Sequence, residues 1–159
     1  MRPIRILATA ALVESVAFVT AAAPAGASLR PRIDVGGPGT YALDQSGVAE
    51  IGGTSTGRPF DVPYTARLAA DDGTLPAPGE CEPATVTVLI DGPRRRHVEL
   101  ESAGTVCGQR PQPPYVVTQV YTGLYEVKEA MPRRLQGTDG FVELRLASEG
   151  RANLIAIDT

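Results

Sequence analysis

Residues 81–107 read CEPATVTVLIDGPRRRHVELESAGTVC and hold both cysteines of a 159-residue chain. Two runs rich in Val, Ile, Leu and Thr flank DGPRRR, the pattern of two strands joined by a turn. With the turn centred near Arg94, Ile90 faces Val98, Val88 faces Leu100 and Val86 faces Ser102. The apolar side chains then share one side of the hairpin, while Thr87 with Glu101 and Leu89 with Glu99 take the other. The same register sets Cys81 opposite Cys107, with Pro83 and Gly104 expected to bend the strands near them. A bridge there closes a loop of about 27 residues, worth about 3–4 kcal/mol by chain entropy. A redox pair would be spaced C-x-x-C, and a metal centre would want more ligands than two thiols and one histidine. The cysteines therefore read as the brace of a hairpin.

Outward from this hairpin the chain keeps the same grammar. Short runs of β-formers recur near residues 40–44, 48–51, 60–69, 115–121, 124–128, 141–147 and 152–157, separated by clusters of Gly, Pro and Asp. Only EVKEAMPRRLQ could form a helical turn, and Pro132 limits it. In FVELRLA, Val142, Leu144 and Leu146 share one face and Glu143 and Arg145 the other, so the first set faces a core. The closing NLIAIDT is apolar almost throughout, which predicts a strand covered on both faces and integral to its sheet. Short connections and a strand count near eight predict an all-β fold: a small antiparallel β-barrel, with a two-sheet β-sandwich as the alternative.

The first 27 residues read differently. Arg2 and Arg5 precede an apolar stretch that ends in small residues, Ala25 and Ala27, before Ser28. That is the layout of a secretory signal peptide, cleaved near Ala27, with residues 28–159 as one mature domain. Glu14 and Pro24 interrupt the apolar run too soon for it to span a bilayer. Removing Arg2, Arg5 and Glu14 leaves 13 basic and 17 acidic side chains, a net charge of −4. An acidic surface disfavours nucleic acid and anionic membranes as general partners. The expectation is a secreted protein, extracellular or associated with the cell wall, with no stable membrane insertion after cleavage.

Reactive chemistry is sparse. His97 is the only histidine, and it adjoins the arginine turn, where a solvated role is the ordinary one. No nucleophile elbow, zinc-protease helix, phosphate-cradling loop or dinucleotide fingerprint occurs, so no catalytic residue, metal ligand or cofactor is assigned. Glu99 and Glu101 point the same way along one strand, about 6.5 Å apart, a spacing read here as a solvated face. ADDG at residues 70–73 reads as a turn before it reads as a calcium loop. The densest charge is Arg94, Arg95, Arg96 and His97, a candidate patch for an anion or a partner. Tyr121, Tyr125, Leu144 and Leu146 are candidate lining for a barrel cavity.

Larger pieces carry a resemblance. DDGTLPAPGECEPATVTV, SAGTVCGQ, VVTQVYTGLYEV and RRLQGTDGFVELRLASEGRANLIAIDT resemble a group of small exported actinobacterial proteins without assigned function. VYTGLYEV followed by RRLQGTDGFVELRLA is also similar to the strand-turn-strand pattern of allene-oxide-cyclase-like and calycin-type barrels. CEP and LIDG are similar to the hairpin framed by the second disulfide of bacterial subtilisin inhibitors, a family whose other disulfide has no counterpart here. The first resemblance implies location and shape but no activity. The barrel reading itself leads to the expectation of an exported, non-enzymatic binding protein that holds a small apolar molecule in its cavity. An envelope structural or interaction protein using the Arg94–His97 turn is the alternative, and a protease inhibitor presenting ECEPAT a further one. Ligand and oligomeric state are not legible.

Overall fold

The computed structural model describes residues 33–55, 62–94, 96–110, 112 and 116–158. The proposed signal segment, and Arg95 and Tyr115, lie outside the described residues. Eight strands follow in chain order: β1 (Asp34–Leu43), β2 (Val48–Ser55), β3 (Val62–Ala70), β4 (Cys81–Gly92), β5 (Arg96–Gly108), β6 (Val117–Met131), β7 (Asp139–Ala147) and β8 (Arg151–Asp158). Each strand pairs antiparallel with the next, and β1 pairs with β8, so the sheet closes into a barrel. The expected all-β barrel is the fold.

The hairpin register is the one its apolar pattern demands: Ile90 opposite Val98, Val88 opposite Leu100, Val86 opposite Ser102. Cys81 and Cys107 are joined, their Cα atoms 4.1 Å apart. Pro83 and Gly104 do not interrupt the ladder, which runs unbroken from the cysteines to Gly92 and Arg96. Pro83 is tolerated because β3 pairs with β4 only as far as Ala84. No partner on that side needs the missing N–H, and the Pro83 carbonyl still accepts from the Asp71 N–H at 3.0 Å.

Three expectations need correction. The runs at 115–121 and 124–128 are one 15-residue strand, β6, that passes straight through Thr122 and Gly123. The helical turn expected in EVKEAMPRRLQ shrinks to Arg133–Leu135, because β6 extends to Met131. And β8 is covered on one face only: Ala152, Leu154 and Ala156 point inward, while Ile155 and Ile157 remain 37% and 42% exposed.

The interior is solid around a set of tyrosines and glycines. Tyr64, Tyr121 and Tyr125 all point inward and are buried. Each lies over inward-facing glycines of its own or nearby strands. A Cβ at Gly39 would come within 2.8 Å of the Tyr64 hydroxyl, and one at Gly53 within 2.6 Å. Gly104 and Gly123 stand in the same relation to the Tyr121 hydroxyl, at 2.8 and 2.5 Å, and Gly140 to Tyr125. Glycine in a strand ordinarily weakens it; here the missing side chain is replaced by an aromatic ring from next door. Leu68, Val86, Val106, Val142, Leu144, Leu146, Leu154 and Ala156 fill the remainder with 0% exposure.

Two of the hydroxyls have partners and one has not. Tyr64 donates to the Gly37 carbonyl at 2.9 Å, and Tyr121 shares a 2.7 Å bond with buried Ser102. The Tyr125 hydroxyl is buried with no hydrogen-bond partner. Burial pushes Tyr64 up to about 12. Burial, assisted by Asp158 and Asp139, raises Tyr125 further.

Two measurements of stability follow from this packing. Replacing both cysteines by serine should lower the unfolding free energy by about 3–4 kcal/mol, read from denaturant curves under matched conditions. Tyr125→Phe removes an unsatisfied buried hydroxyl and should raise stability by about 1 kcal/mol, whereas Tyr121→Phe strands Ser102 and should cost about as much.

Candidate functional site

Tyr121, Tyr125, Leu144 and Leu146, the residues read from the sequence as cavity lining, point into the bore but are packed against one another's neighbours with at most 2% exposure. They are buried in the interior of the barrel, and the charged groups lie on its outside.

The turn-bearing end of β4 and β5 is the most charged part of that surface. Arg94 sits at the tip with φ 60°, a left-handed conformation that a non-glycine residue adopts at a cost of about 1 kcal/mol. Arg94 and Arg96 are exposed. Asp91, the carboxylate at the base of the turn, is engaged with His97, Nδ1 to Oδ1 at 2.9 Å. Among the described residues neither Arg94 nor Arg96 forms an ion pair.

The antiparallel topology adds a second basic motif to the same end. His97 pairs with Met131 across β5 and β6. The chain then leaves β6 through Pro132 into exposed Arg133 and Arg134. PRRRH and PRR, nearly forty residues apart in sequence, thus flank one sector of the barrel rim. Asp34, Asp139 and Asp158 lie at the same end of the barrel, on β1, β7 and β8. Sequence reasoning missed Arg133 and Arg134 because they were assigned to a helical turn. The signal that could have found them was the length of β6, which carries them to the level of the arginine turn.

Just below the turn, on the outer face, lies a cluster that the sequence also concealed. His97, Glu99 and Glu129 each place a donor atom within 4.8 Å of the other two. Glu99 is paired with Glu129, its direct neighbour across the strands, and not with Glu101 two residues along. A β-bulge makes this possible. Glu99 pairs with Glu129 and Leu100 with Val127, so Lys128 is an extra residue on β6. Strict alternation from buried Val127 would have sent Glu129 into the core. The inserted residue instead leaves Lys128 and Glu129 both outside and returns Ala130 to the interior.

Lys128 turns to Glu126, at 2.8 Å, and Glu126 and then Glu101 raise its pKa. Among the described residues Glu99 and Glu129 have no lysine or arginine partner.

The far end of the barrel is acidic and self-contained. Asp72 accepts from the Thr74 N–H at 2.8 Å and from its hydroxyl at 3.1 Å, closing its own turn. The Thr74 N–H, then Glu82, hold Asp72 below the usual carboxylate range. Glu82 is raised, first by hydrogen bonding with Asp72, then by burial and by Asp72, Glu80 and Asp71, and its Oε1 is buried without a partner. ECEPAT sits here, with Cys81 onward inside the β4 ladder. A separate outer row runs across four strands, Ala103–Leu124–Phe141–Ile157, in which Leu124 is 69% exposed.

Comparison with protein-family models, with curated proteins and with solved structures finds no match.

The raised pKa of Glu82 has a definite sign. A carboxyl whose folded pKa lies above its unfolded one favours the fold while protonated, and loses that advantage as pH rises through the folded value. Glu82→Gln should therefore raise the thermal midpoint at pH 7, and the gain should fade as the pH is lowered into and below the ordinary carboxylate range.

Proposed function

We propose that this is an exported, non-catalytic binding protein that meets an anionic polymer of the cell envelope through the arginine-bearing rim of its barrel. The observation that carries the reading is the convergence of Arg94, Arg96, Arg133 and Arg134 on one sector of one barrel end, all exposed and none ion-paired among the described residues. In a protein of net negative charge, four uncompensated guanidinium groups in one sector make a local positive potential with its own target. Guanidinium forks suit phosphate or carboxylate groups, two hydrogen bonds at a time.

Export is supported by the leader-like first 27 residues and by the Cys81–Cys107 bridge, which belongs to an oxidising compartment. Among the described residues no helix is long and apolar enough to cross a membrane. The likeness to small exported actinobacterial proteins points the same way. The likeness to calycin-type barrels would place a ligand in the bore. A bore filled by Tyr64, Tyr121 and Tyr125 supports a contact on the rim instead.

Rigid presentation is part of the mechanism. The arginine turn caps the β4–β5 hairpin, which is closed at its other end by the disulfide. Little conformational freedom remains to be lost when a polymer docks.

The test is co-sedimentation with purified cell walls, alongside titration with soluble polyphosphate. Reversing Arg94 and Arg96 to glutamate, and separately Arg133 and Arg134, should each weaken binding at least tenfold and flatten its salt dependence. Reversal of Arg145, on the side of the barrel, should leave binding unchanged. Equal binding by all three variants would refute the reading.

A further inference from the structure

The geometry points to a divalent-metal site on the outer face of β5 and β6, with His97, Glu99 and Glu129 as ligands and Asp91 as the residue that positions the histidine. This inference does not rest on the anionic-polymer reading, although the two features share one end of the barrel.

The donor set comes first. One imidazole and two carboxylates lie within 4.8 Å of one another, close enough to converge on a single ion with only side-chain adjustment. All three positions are fixed by the sheet itself. His97 and Glu99 are two residues apart on β5 and share its outer face, and Glu129 stands directly across from Glu99.

The histidine is oriented. Asp91 engages Nδ1 at 2.9 Å from the β4 side, which leaves Nε2 as the nitrogen available to a ligand. Metal-bound histidines characteristically spend their second nitrogen on a carboxylate in this way, fixing the tautomer and raising the basicity of the ligating nitrogen. Asp91 pairs with His97 in the β4–β5 ladder, so this contact is held by backbone register.

The carboxylates carry an unexplained cost. Like charges directly opposite each other on adjacent strands are destabilising. Glu101 and Glu126 form a similar pair in the same ladder, and there Lys128 supplies the compensating charge. Glu99 and Glu129 have no such cation among the described residues. The bulge at Lys128 is what brings Glu129 outward to face Glu99. Bulges are set where a side chain must be re-aimed. A bound cation would turn the repulsion into a reason for the bulge.

The chemistry favours a first-row transition ion or zinc over calcium or magnesium. An imidazole nitrogen with hard carboxylate oxygens suits Zn2+, Mn2+, Fe2+ or Ni2+, whereas calcium wants six to eight oxygens. Three protein ligands leave coordination positions open on the solvent side. Those positions give the site a means of bridging to a donor on another molecule.

Zn2+ is the probe, titrated calorimetrically into the purified, chelator-stripped protein, with thermal unfolding followed in parallel. One equivalent of Zn2+ should bind and raise the thermal midpoint, and excess Ca2+ should not reproduce the shift. His97→Ala and Glu129→Gln should each lower Zn2+ affinity by at least about tenfold. Asp91→Ala should lower it about 10–100-fold, as loss of an orienting partner does. Glu126→Gln, on the neighbouring carboxylate pair, should bind as the parent does.

Glu129→Gln also guards against a trivial loss of fold: without metal it relieves a like-charge contact, so its midpoint should equal or exceed that of the parent. Zn2+ binding that survives His97→Ala, or that Ca2+ matches, would assign the effect to diffuse acidity and overturn the site. So would the absence of any binding. Neither result touches the polymer assay, which scores the arginines in the absence of added metal.

Discussion

Everything in this barrel depends on three aromatic rings that lie where side chains are missing. Tyr64, Tyr121 and Tyr125 project into the bore and cover inward-facing glycines, Gly39 and Gly53 on β1 and β2, Gly104 and Gly123 on β5 and β6, and Gly140 on β7. The arrangement solves two problems together. Glycine gives a strand tight curvature, which a ring of only eight strands needs, but offers nothing to pack. A phenol ring supplies the packing without adding a Cβ at the point of tightest approach. Because the rings take the centre of the bore, they pack there as core.

The outer wall shows how one inserted residue can bring distant side chains together. Along most of β6 the pleat sorts side chains cleanly, with Tyr121, Tyr125 and Val127 inside and Thr122, Leu124 and Glu126 outside. At Lys128 the alternation slips by one, and a glutamate bound for the core comes to face another glutamate on the surface. The same slip carries the end of β6 into register with His97. Basic rim and carboxylate cluster are therefore neighbours for a geometric reason, since both hang from the last turn of the β4–β5–β6 ribbon.

How much of this the sequence disclosed depended on whether the signal was local. The hairpin register was legible because Val86, Val88 and Ile90 against Val98 and Leu100 admit one alignment only, and the cysteines then fell opposite each other. The barrel was legible from strand number and short connections. Gly123 misled, since a glycine after Tyr121 and Thr122 reads as a turn unless one knows that a ring will cover it. Ile155 and Ile157 misled in the opposite sense: hydrophobicity implied cover, yet both face outward, opposite Glu143 and Phe141. The Arg94–His97 patch was visible as a run. Arg133, Arg134 and Glu129 were not, because their positions follow from strand length and a bulge, neither of which leaves a compositional trace.

Closure of the ring has a kinetic meaning as well. Seven of the eight strand pairings join neighbours in sequence and can zip from their own turns, the β4–β5 hairpin with a covalent clasp to hold it. The eighth, β1 with β8, joins residues such as Asp34 and Ile157 across almost the whole domain. Its loop-closure entropy must be met before any of its contacts exist. The meander can thus grow from its middle outward, and the last seam to form unites the two ends of the domain. Once shut, that seam leaves no unpaired edge onto which a neighbouring chain could add a strand, so the cylinder is protected from edge-to-edge aggregation.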